Sequence, residues 1–170
     1  MYLCPVHLLR SVQQQNTRWE EEIIGFGLDN VEMGRQIAPL VVSLTDDIDH
    51  NLRVVVTQSF PREGDPDDYW EVSFAGYVLF MERDESYTVP DDYEVRHGRW
   101  LEVFERSRLM DHLPSYTFAD DLFPGPLTHY CVCGEDHVVD VVTTATPQVR
   151  LLTADEVAAL DWEPDDDEEE

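Results

Sequence analysis

Thiol and imidazole side chains, which are ligands for zinc, occur together in one short segment: His129, Cys131, Cys133 and His137. Structural zinc sites usually place about two to four residues between their cysteines, whereas a single residue separates Cys131 from Cys133. Alternate residues of a strand point the same way about 6.5–7 Å apart, so a third ligand on that strand is hard to bring to the ion. We therefore expect the cysteines to pack as small apolar side chains, with no cofactor. Zinc at these four residues is the alternative.

His129 and Asp140 form the one general-base pair that the sequence suggests, provided that their segments form a hairpin. The carboxylate would then fix the tautomer of the imidazole. A cysteine on the strand of His129 points parallel to that side chain, and the sequence has no Gly-rich loop at a helix start to provide an oxyanion pocket. We therefore predict that the protein is not an enzyme.

The sequence also lacks the patterns of calcium and phosphate sites. The paired acids Asp67–Asp68 and Asp91–Asp92 lack the central glycine and distant glutamate of a calcium loop, and such pairs are typical of hydrated turns. The glycines at 25–27 form a motif too short for a phosphate-binding loop. Nucleotide chemistry is therefore not expected.

The charge of the chain is its strongest feature. It has 37 acidic residues against 11 arginines and no lysine, which gives a formal net charge of -26 over 170 residues. Such a field repels nucleic acid and anionic membranes, and it attracts cationic proteins and metal ions. We therefore expect a basic protein partner, with no direct binding to nucleic acid and no membrane association.

Three functions are compatible with this charge. The preferred one is a non-enzymatic binding module, such as an immunity-type or inhibitory protein that masks a basic toxin or nuclease. The second is a salt-adapted domain whose acidity only maintains hydration, with metal at the Cys/His hairpin as an added option. The third is a nucleic-acid mimic that acts as an inhibitor.

Aromatic side chains beside carboxylates suit the docking of Arg or Lys side chains, which favours the binding module. The alternative is that these aromatics are strand-end residues that pack on the core. We expect electrostatic steering by the acidic loops and aromatic anchoring near Trp70 and Tyr93. The predicted binding residues are Asp67, Asp68, Tyr69, Trp70, Asp91, Asp92 and Tyr93.

The first half of the chain is predicted to contain strands and one helix. Residues 52–60 and 69–82 are predicted to form an antiparallel hairpin across an acidic turn. Residues 75–81 are apolar on both faces, which predicts a central, covered strand after a bend at Gly76. An edge strand over 2–10 and a helix over 30–44, kinked or restarted at Pro39, are also expected.

Two helices are predicted in the second half. An apolar stripe indicates a helix over 96–111, whose arginines form surface ion pairs, hold the protein's own acidic loops, or bind an anionic group on a partner. Thr153 and Glu156 match a capping box, and Leu152 with Val157 a hydrophobic staple, so a short helix is expected over 154–160.

A hairpin is predicted between these helices, with a two-residue turn at Gly134–Glu135. That turn pairs Cys133 with Asp136, Cys131 with Val138, and His129 with Asp140. One face then carries four core residues: Tyr130, Val132, Val139 and Val141.

These elements predict an α+β fold, with a mainly antiparallel sheet of about five or six strands and two or three helices. We expect a single domain over 1–160 and a disordered acidic tail over 161–170. No secretory signal or long apolar run is visible, and three cysteines cannot all pair within the chain. A cytoplasmic protein with reduced thiols is therefore expected.

Overall fold

Two antiparallel β-sheets form the framework of the chain that the computed structural model describes, which is residues 39–59 and 68–160. The first sheet has the order β1-β2-β3-β9 and the second the order β4-β8-β7-β6-β5. The strands are β1 (Pro39–Asp46), β2 (Leu52–Gln58), β3 (Trp70–Phe74), β4 (Tyr77–Asp84), β5 (Val95–Gly98), β6 (Leu101–Arg106), β7 (Thr128–Cys133), β8 (His137–Thr143) and β9 (Gln148–Leu151).

Helical structure in the same residues is limited to short elements. The α-helices are α1 (Arg108–His112) and α2 (Ala154–Val157), and single 3-10 turns span Glu85–Tyr87 and Leu113–Ser115. The prediction of antiparallel sheet is confirmed, but the described part of the chain has nine strands in two sheets instead of one sheet of five or six. These helices are too short and too polar to cross a bilayer.

The core lies between the two sheets, because one buried cluster contains residues of both. Period-two alternation places one set of side chains of each strand on the facing surfaces. The first sheet contributes Leu52, Val54, Val56, Val72 and Phe74, and the second contributes Leu101, Val103, Tyr130, Val132, Val139 and Val141.

The apolar run over 75–81 does not form a central strand. The chain changes sheets at Ala75 and Gly76, where Gly76 has a φ of +60°, so the stretch 69–82 becomes the two strands β3 and β4. β4 lies at the edge of the second sheet, and Met81 is exposed. The predicted antiparallel pairing of β2 with β3 is confirmed.

Both helices predicted before residue 112 need correction. Residues 96–111 form β5, β6 and α1, because Gly98 adopts a φ of +116° and turns the chain back on itself. Residues 39–44 belong to β1, which pairs with β2. The remainder of the helix over 30–44, the strand over 2–10 and the tail over 161–170 lie outside the described residues.

The hairpin of β7 and β8 exists, but its turn lies one residue later than predicted. Cys131 is opposite Asp140 and Cys133 is opposite Val138, so Glu135 and Asp136 occupy the turn. The turn is docked on the first sheet, where the amide of Glu135 donates to the Pro39 carbonyl at 2.8 Å. The shift leaves the faces of both strands unchanged, and the four predicted core residues are confirmed.

The capping box of α2 is confirmed. The Thr153 hydroxyl accepts a bond from the Glu156 amide, and the Thr153 amide donates to the Glu156 carboxylate at 2.9 Å. The helix ends at Val157, three residues earlier than predicted.

Candidate functional site

A chain of buried polar side chains links β8, β7 and α1. His129 Nε2 lies 2.9 Å from Asp140 Oδ1, and His129 Nδ1 lies 2.7 Å from Ser107 Oγ. The other Asp140 oxygen is paired with Arg83 of β4. An ionised carboxylate can only accept, so Nε2 carries the proton in the bond to Asp140. The Ser107 hydroxyl oxygen also caps α1, where it accepts from Met110 N at 3.2 Å.

Asp140 remains a carboxylate in this buried position. Burial by itself would raise the pKa of Asp140, but the hydrogen bond and charge of His129, together with Arg83, outweigh it. The pKa of Asp140 is therefore below its ordinary value. The association of His129 with Asp140 that the sequence predicted is confirmed, although the two are diagonal neighbours in the hairpin.

Ser107, His129 and Asp140 are the residue types of a catalytic triad, but their arrangement favours a structural role. Ser107 is only 3% exposed, and its oxygen is engaged by the first turn of α1. Phe104 stacks on the His129 ring at 4.0 Å. The network therefore fixes α1 against the second sheet, with the Ser107 hydroxyl buried inside it.

Above this network is a cavity of about 390 Å³, with His129 and Asp140 among its lining residues. Its walls include Met81 of β4, Tyr87 and Val89 from the loop that follows β4, and Tyr116 from the segment after α1. The cavity therefore joins the loop that follows β4 to the loop that follows α1.

These two loops expose an unusual amount of apolar surface. Phe118 is 99% exposed, Leu122 92% and Phe123 75%. We call the exposed large apolar side chains of these two loops the aromatic surface: Tyr87, Val89, Tyr116, Phe118, Leu122 and Phe123.

Hydrogen bonds fix the loop that carries three of these residues. Asp120 Oδ1 accepts from Leu122 N at 2.8 Å and from Phe123 N at 2.9 Å. The Asp120 amide donates to the Phe123 carbonyl at 2.8 Å, which closes the turn. Leu122 and Phe123 are therefore held outward by the backbone of a defined turn.

The two loops that carry the aromatic surface are rich in acidic residues. Residues 84–94 contain five acids and residues 111–123 contain three, and neither segment contains an arginine or a lysine. Arg83, Arg106 and Arg108 flank these segments. The loops that display apolar side chains are thus also acidic.

Two of the predicted binding residues, Asp91 and Tyr93, contact the protein's own arginines. Arg108 Nε lies 2.7 Å from Asp91 Oδ2, and this bond lowers the pKa of Asp91. The guanidinium groups of Arg106 and Arg108 lie 4.6 and 4.0 Å from the centroid of the Tyr93 ring. This matches the interpretation in which the arginines hold the acidic loops. Asp92 is exposed.

The other predicted binding residues that the structure describes lie at or just before β3 of the first sheet. Asp68 and Tyr69 precede β3, and their carbonyl groups accept bonds from Thr57 Oγ1 and Leu152 N. Trp70 Nε1 is buried, with no hydrogen-bond partner among the described residues. Asp67 lies outside those residues. The two predicted groups therefore belong to different sheets.

The four predicted zinc ligands separate into three environments. His129 belongs to the buried network, and His137 Nδ1 contacts Glu82 Oε1 at the surface. Cys131 and Cys133 stay together, with their sulfur atoms 3.3 Å apart. The bond from Cys133 and burial raise the pKa of Cys131.

Two residues important to these sites, Ser107 and Glu102, were missed in the sequence. Glu102 Oε2 lies 3.5 Å from Cys133 Sγ. A strand pattern at 101–106 would have placed Glu102 beside the cysteines, but that segment was interpreted as a helix. Comparison of the chain with protein-family models, with curated proteins and with solved structures finds no match.

Proposed function

We propose that this protein is a non-enzymatic acidic binding module whose aromatic surface engages a basic protein. The observation that carries the proposal is the high exposure of Phe118, Leu122 and Phe123, of which the last two lie on a hydrogen-bonded turn. Large apolar side chains displayed together in this way are typical of protein-protein interfaces.

The fixed turn strengthens this interpretation. A partner that buries Leu122 and Phe123 need not order their backbone, because Asp120 already holds it. Pre-organisation lowers the entropy lost on association and so increases affinity for the same contact area. Aromatic side chains at the centre of an interface commonly supply most of the binding energy.

Charge indicates the chemistry of the partner. The eight acids of residues 84–94 and 111–123 would steer a cationic surface towards the aromatic side chains. Acidic clusters also occur elsewhere, as at Asp46, Asp47 and Asp49 in the β1–β2 turn. Charge therefore specifies a basic partner, whereas the apolar residues specify where it docks.

An immunity-type or inhibitory protein is the concrete form of this proposal. A toxin or nuclease that binds nucleic acid presents a cationic surface, and an acidic module can cover that surface. The association rate of such a pair falls steeply as salt is added.

The test compares the wild-type chain with the double variant Phe118→Ser/Phe123→Ser and the control Ile48→Ser. Ile48 is 93% exposed but lies in the β1–β2 turn, on the first sheet. Each immobilised protein is incubated with a lysate of the source organism at low salt. A captured protein with an isoelectric point above about 9 is then purified, and its affinity is measured by calorimetry.

We expect wild type and Ile48→Ser to bind the basic protein equally and the double variant to bind it at least tenfold more weakly. The affinity for wild type should decrease between low and physiological salt. Identical capture by all three proteins, or an affinity that does not depend on salt, would contradict the proposal.

A further inference from the structure

Cys131, Cys133 and Glu102 bring three potential metal ligands together across β6 and β7. Their ligand atoms all lie within 4.8 Å of one another, and this is the one such group of three found in residues 39–59 and 68–160. The Cys131 and Cys133 sulfurs are 3.3 Å apart, and Cys133 Sγ is 3.5 Å from Glu102 Oε2. Both cysteines are free thiols.

We propose that these three residues bind a thiophilic divalent cation, with Zn²⁺ as the probe. The proposal is independent of the aromatic surface, whose residues are not among the three ligands. It also differs from the site predicted from sequence, because His129 and His137 are not ligands.

The distances suit tetrahedral coordination. With zinc-sulfur bonds of about 2.3 Å and zinc-oxygen bonds of about 2.0 Å, tetrahedral angles place two sulfurs about 3.8 Å apart and a sulfur and an oxygen about 3.5 Å apart. The sulfur-oxygen pair already has this separation, and the two sulfurs need to move apart by about half an ångström. The third pair, the Cys131 sulfur and a Glu102 carboxylate oxygen, lies within 4.8 Å.

The third ligand comes from a neighbouring strand, which removes the geometric objection raised by the sequence. Three ligands along a single strand would be too far apart. Here Glu102 of β6 is directly opposite Cys131 of β7. Cross-strand partners on one face are close enough for both side chains to reach a common ion.

A nearby arginine forms an ion pair with the proposed carboxylate ligand. Arg96 Nη1 lies 3.1 Å from Glu102 Oε2, and its guanidinium carbon is 5.8 Å from the centroid of the Phe104 ring. Groups in this position orient the ligands of a metal and balance their charge. Two thiolates and a carboxylate with Zn²⁺ have a net charge of -1, and Arg96 neutralises it.

The site also has access to solvent. Glu102 and Cys133 line a second cavity, of about 380 Å³, together with Arg96, Arg99 and Gly134. Three protein ligands with a fourth position open to water are typical of zinc sites that exchange ligands. An ion can therefore enter from this cavity and retain a water molecule.

Ligand softness separates this site from the acidic surface of the protein. Carboxylates bind Ca²⁺ and Mg²⁺, whereas thiolates select Zn²⁺ and similar ions. The test therefore uses the reduced full-length chain in excess Mg²⁺, so that diffuse sites on the surface are filled. Co²⁺ replaces Zn²⁺ as a spectroscopic probe, because thiolate ligation produces intense charge-transfer absorption in the near ultraviolet.

We expect one equivalent of Co²⁺ to give this absorption and Zn²⁺ to abolish it by displacement. Because Cys131 is fully buried, the variants are Cys133→Ser and Glu102→Gln, each checked for folding by circular dichroism. Cys133→Ser should lose most of the absorption. Glu102→Gln should keep the absorption but bind Zn²⁺ at least about tenfold more weakly.

His137→Gln is the matched control, since His137 is a potential zinc ligand on the same hairpin but lies outside the cluster. This variant should bind Zn²⁺ as wild type does. Absence of the charge-transfer absorption from the wild-type protein would overturn the proposal. So would a Zn²⁺ affinity that is unchanged in Glu102→Gln or that falls only in His137→Gln.

Discussion

His129 and Asp140 share a hydrogen bond of 2.9 Å, although neither is the other's cross-strand partner. His129 is opposite Val142 and Asp140 is opposite Cys131, so the bond runs diagonally across the hairpin. The diagonal leaves the second Asp140 oxygen available to Arg83 on the edge strand β4. One carboxylate therefore ties the edge of the second sheet to its centre and, through Ser107, to α1.

Asp140→Asn is expected to reduce the free energy of unfolding by about 2–3 kcal/mol. The change keeps the shape of the side chain but removes the charge, which leaves the buried His129 with a weaker partner. Arg83 is partly exposed and can be rehydrated, so the loss is smaller than for a fully buried ion pair. Urea denaturation measures the change.

The control for this prediction is Asp92→Asn, at an exposed residue in the loop before β5. It should alter the free energy of unfolding by less than about 0.5 kcal/mol. Equal stabilities of the two variants would show that the network of Asp140 does not stabilise the fold.

The sequence predicted correctly those features of the fold that depend on residues close together in the chain. The alternation of Tyr130, Val132, Val139 and Val141 fixed the core face of a hairpin even though its turn was misplaced by one residue. The capping box at Thr153 was predicted correctly because its hydrogen bonds lie within four residues.

Long-range pairing decided the segments that were wrong. Leu101, Val103 and Phe104 fit both a helical stripe and a strand, and the choice depends on pairing with β7, which lies more than 20 residues away. The candidate site suffered from the same error, because Glu102 approaches the cysteines only if its segment is a strand. Exposure of Phe118 has no local signature, since an exposed and a buried phenylalanine look alike in a sequence.

Glu156 should make the stability of the protein depend on pH in the acidic range. Its carboxylate accepts bonds from the Thr153 amide and hydroxyl and from Arg150, which lowers its pKa from 4.5 to about 2. Because the pKa is lower in the folded state, the stabilisation is fully present above pH 4.5 and is lost as the pH falls through 2. Glu156→Gln should therefore be less stable than wild type above pH 4.5, and the difference should shrink towards pH 2.

Denaturation curves at a series of pH values measure this difference. Asp155→Asn is the control, because it removes a charge from the same helical turn and none of the bonds to Glu156. Above pH 4.5 it should lose less stability than Glu156→Gln, because the bonds to Glu156 remain. A constant difference between Glu156→Gln and wild type from pH 4.5 to 2 would refute the assignment.

Sodium chloride should raise the melting temperature by several degrees. With a net charge of -26, repulsion between acidic clusters opposes the compact state. The Debye length falls from about 30 Å at 0.01 M salt to about 3 Å at 1 M, so added salt screens the repulsion between these exposed clusters. Below about 0.1 M, sodium sulfate at equal ionic strength should give the same increase. A melting temperature that does not change with salt would contradict this prediction.

Substitution of a buried and of an exposed phenylalanine should have very different effects on stability. Phe74 is fully buried in the core, and Phe74→Ala should cost about 3–5 kcal/mol of unfolding free energy because it leaves a cavity. Phe118 is 99% exposed, so Phe118→Ala should change stability by less than about 0.5 kcal/mol. Chemical denaturation of both variants tests this. A large loss for Phe118→Ala would mean that this side chain supports the fold and is not reserved for a partner.

Gly98→Ala distinguishes the observed hairpin from the helix that the sequence suggested. Gly98 has a φ of +116°, and a Cβ atom there would lie 2.3 Å from the Leu101 carbonyl oxygen. Strain and this clash should together cost about 3 kcal/mol or more. In a helix over 96–111, the same substitution would instead stabilise the protein by about 1 kcal/mol. Gly76→Ala, where φ is +60° and no atom lies within 4 Å, should cost only about 1 kcal/mol. In the hairpin, Gly98→Ala is the less stable of the two variants, whereas in the helix it is the more stable one. Urea denaturation of both variants distinguishes these cases, and a stabilised Gly98→Ala protein would exclude the β5–β6 hairpin.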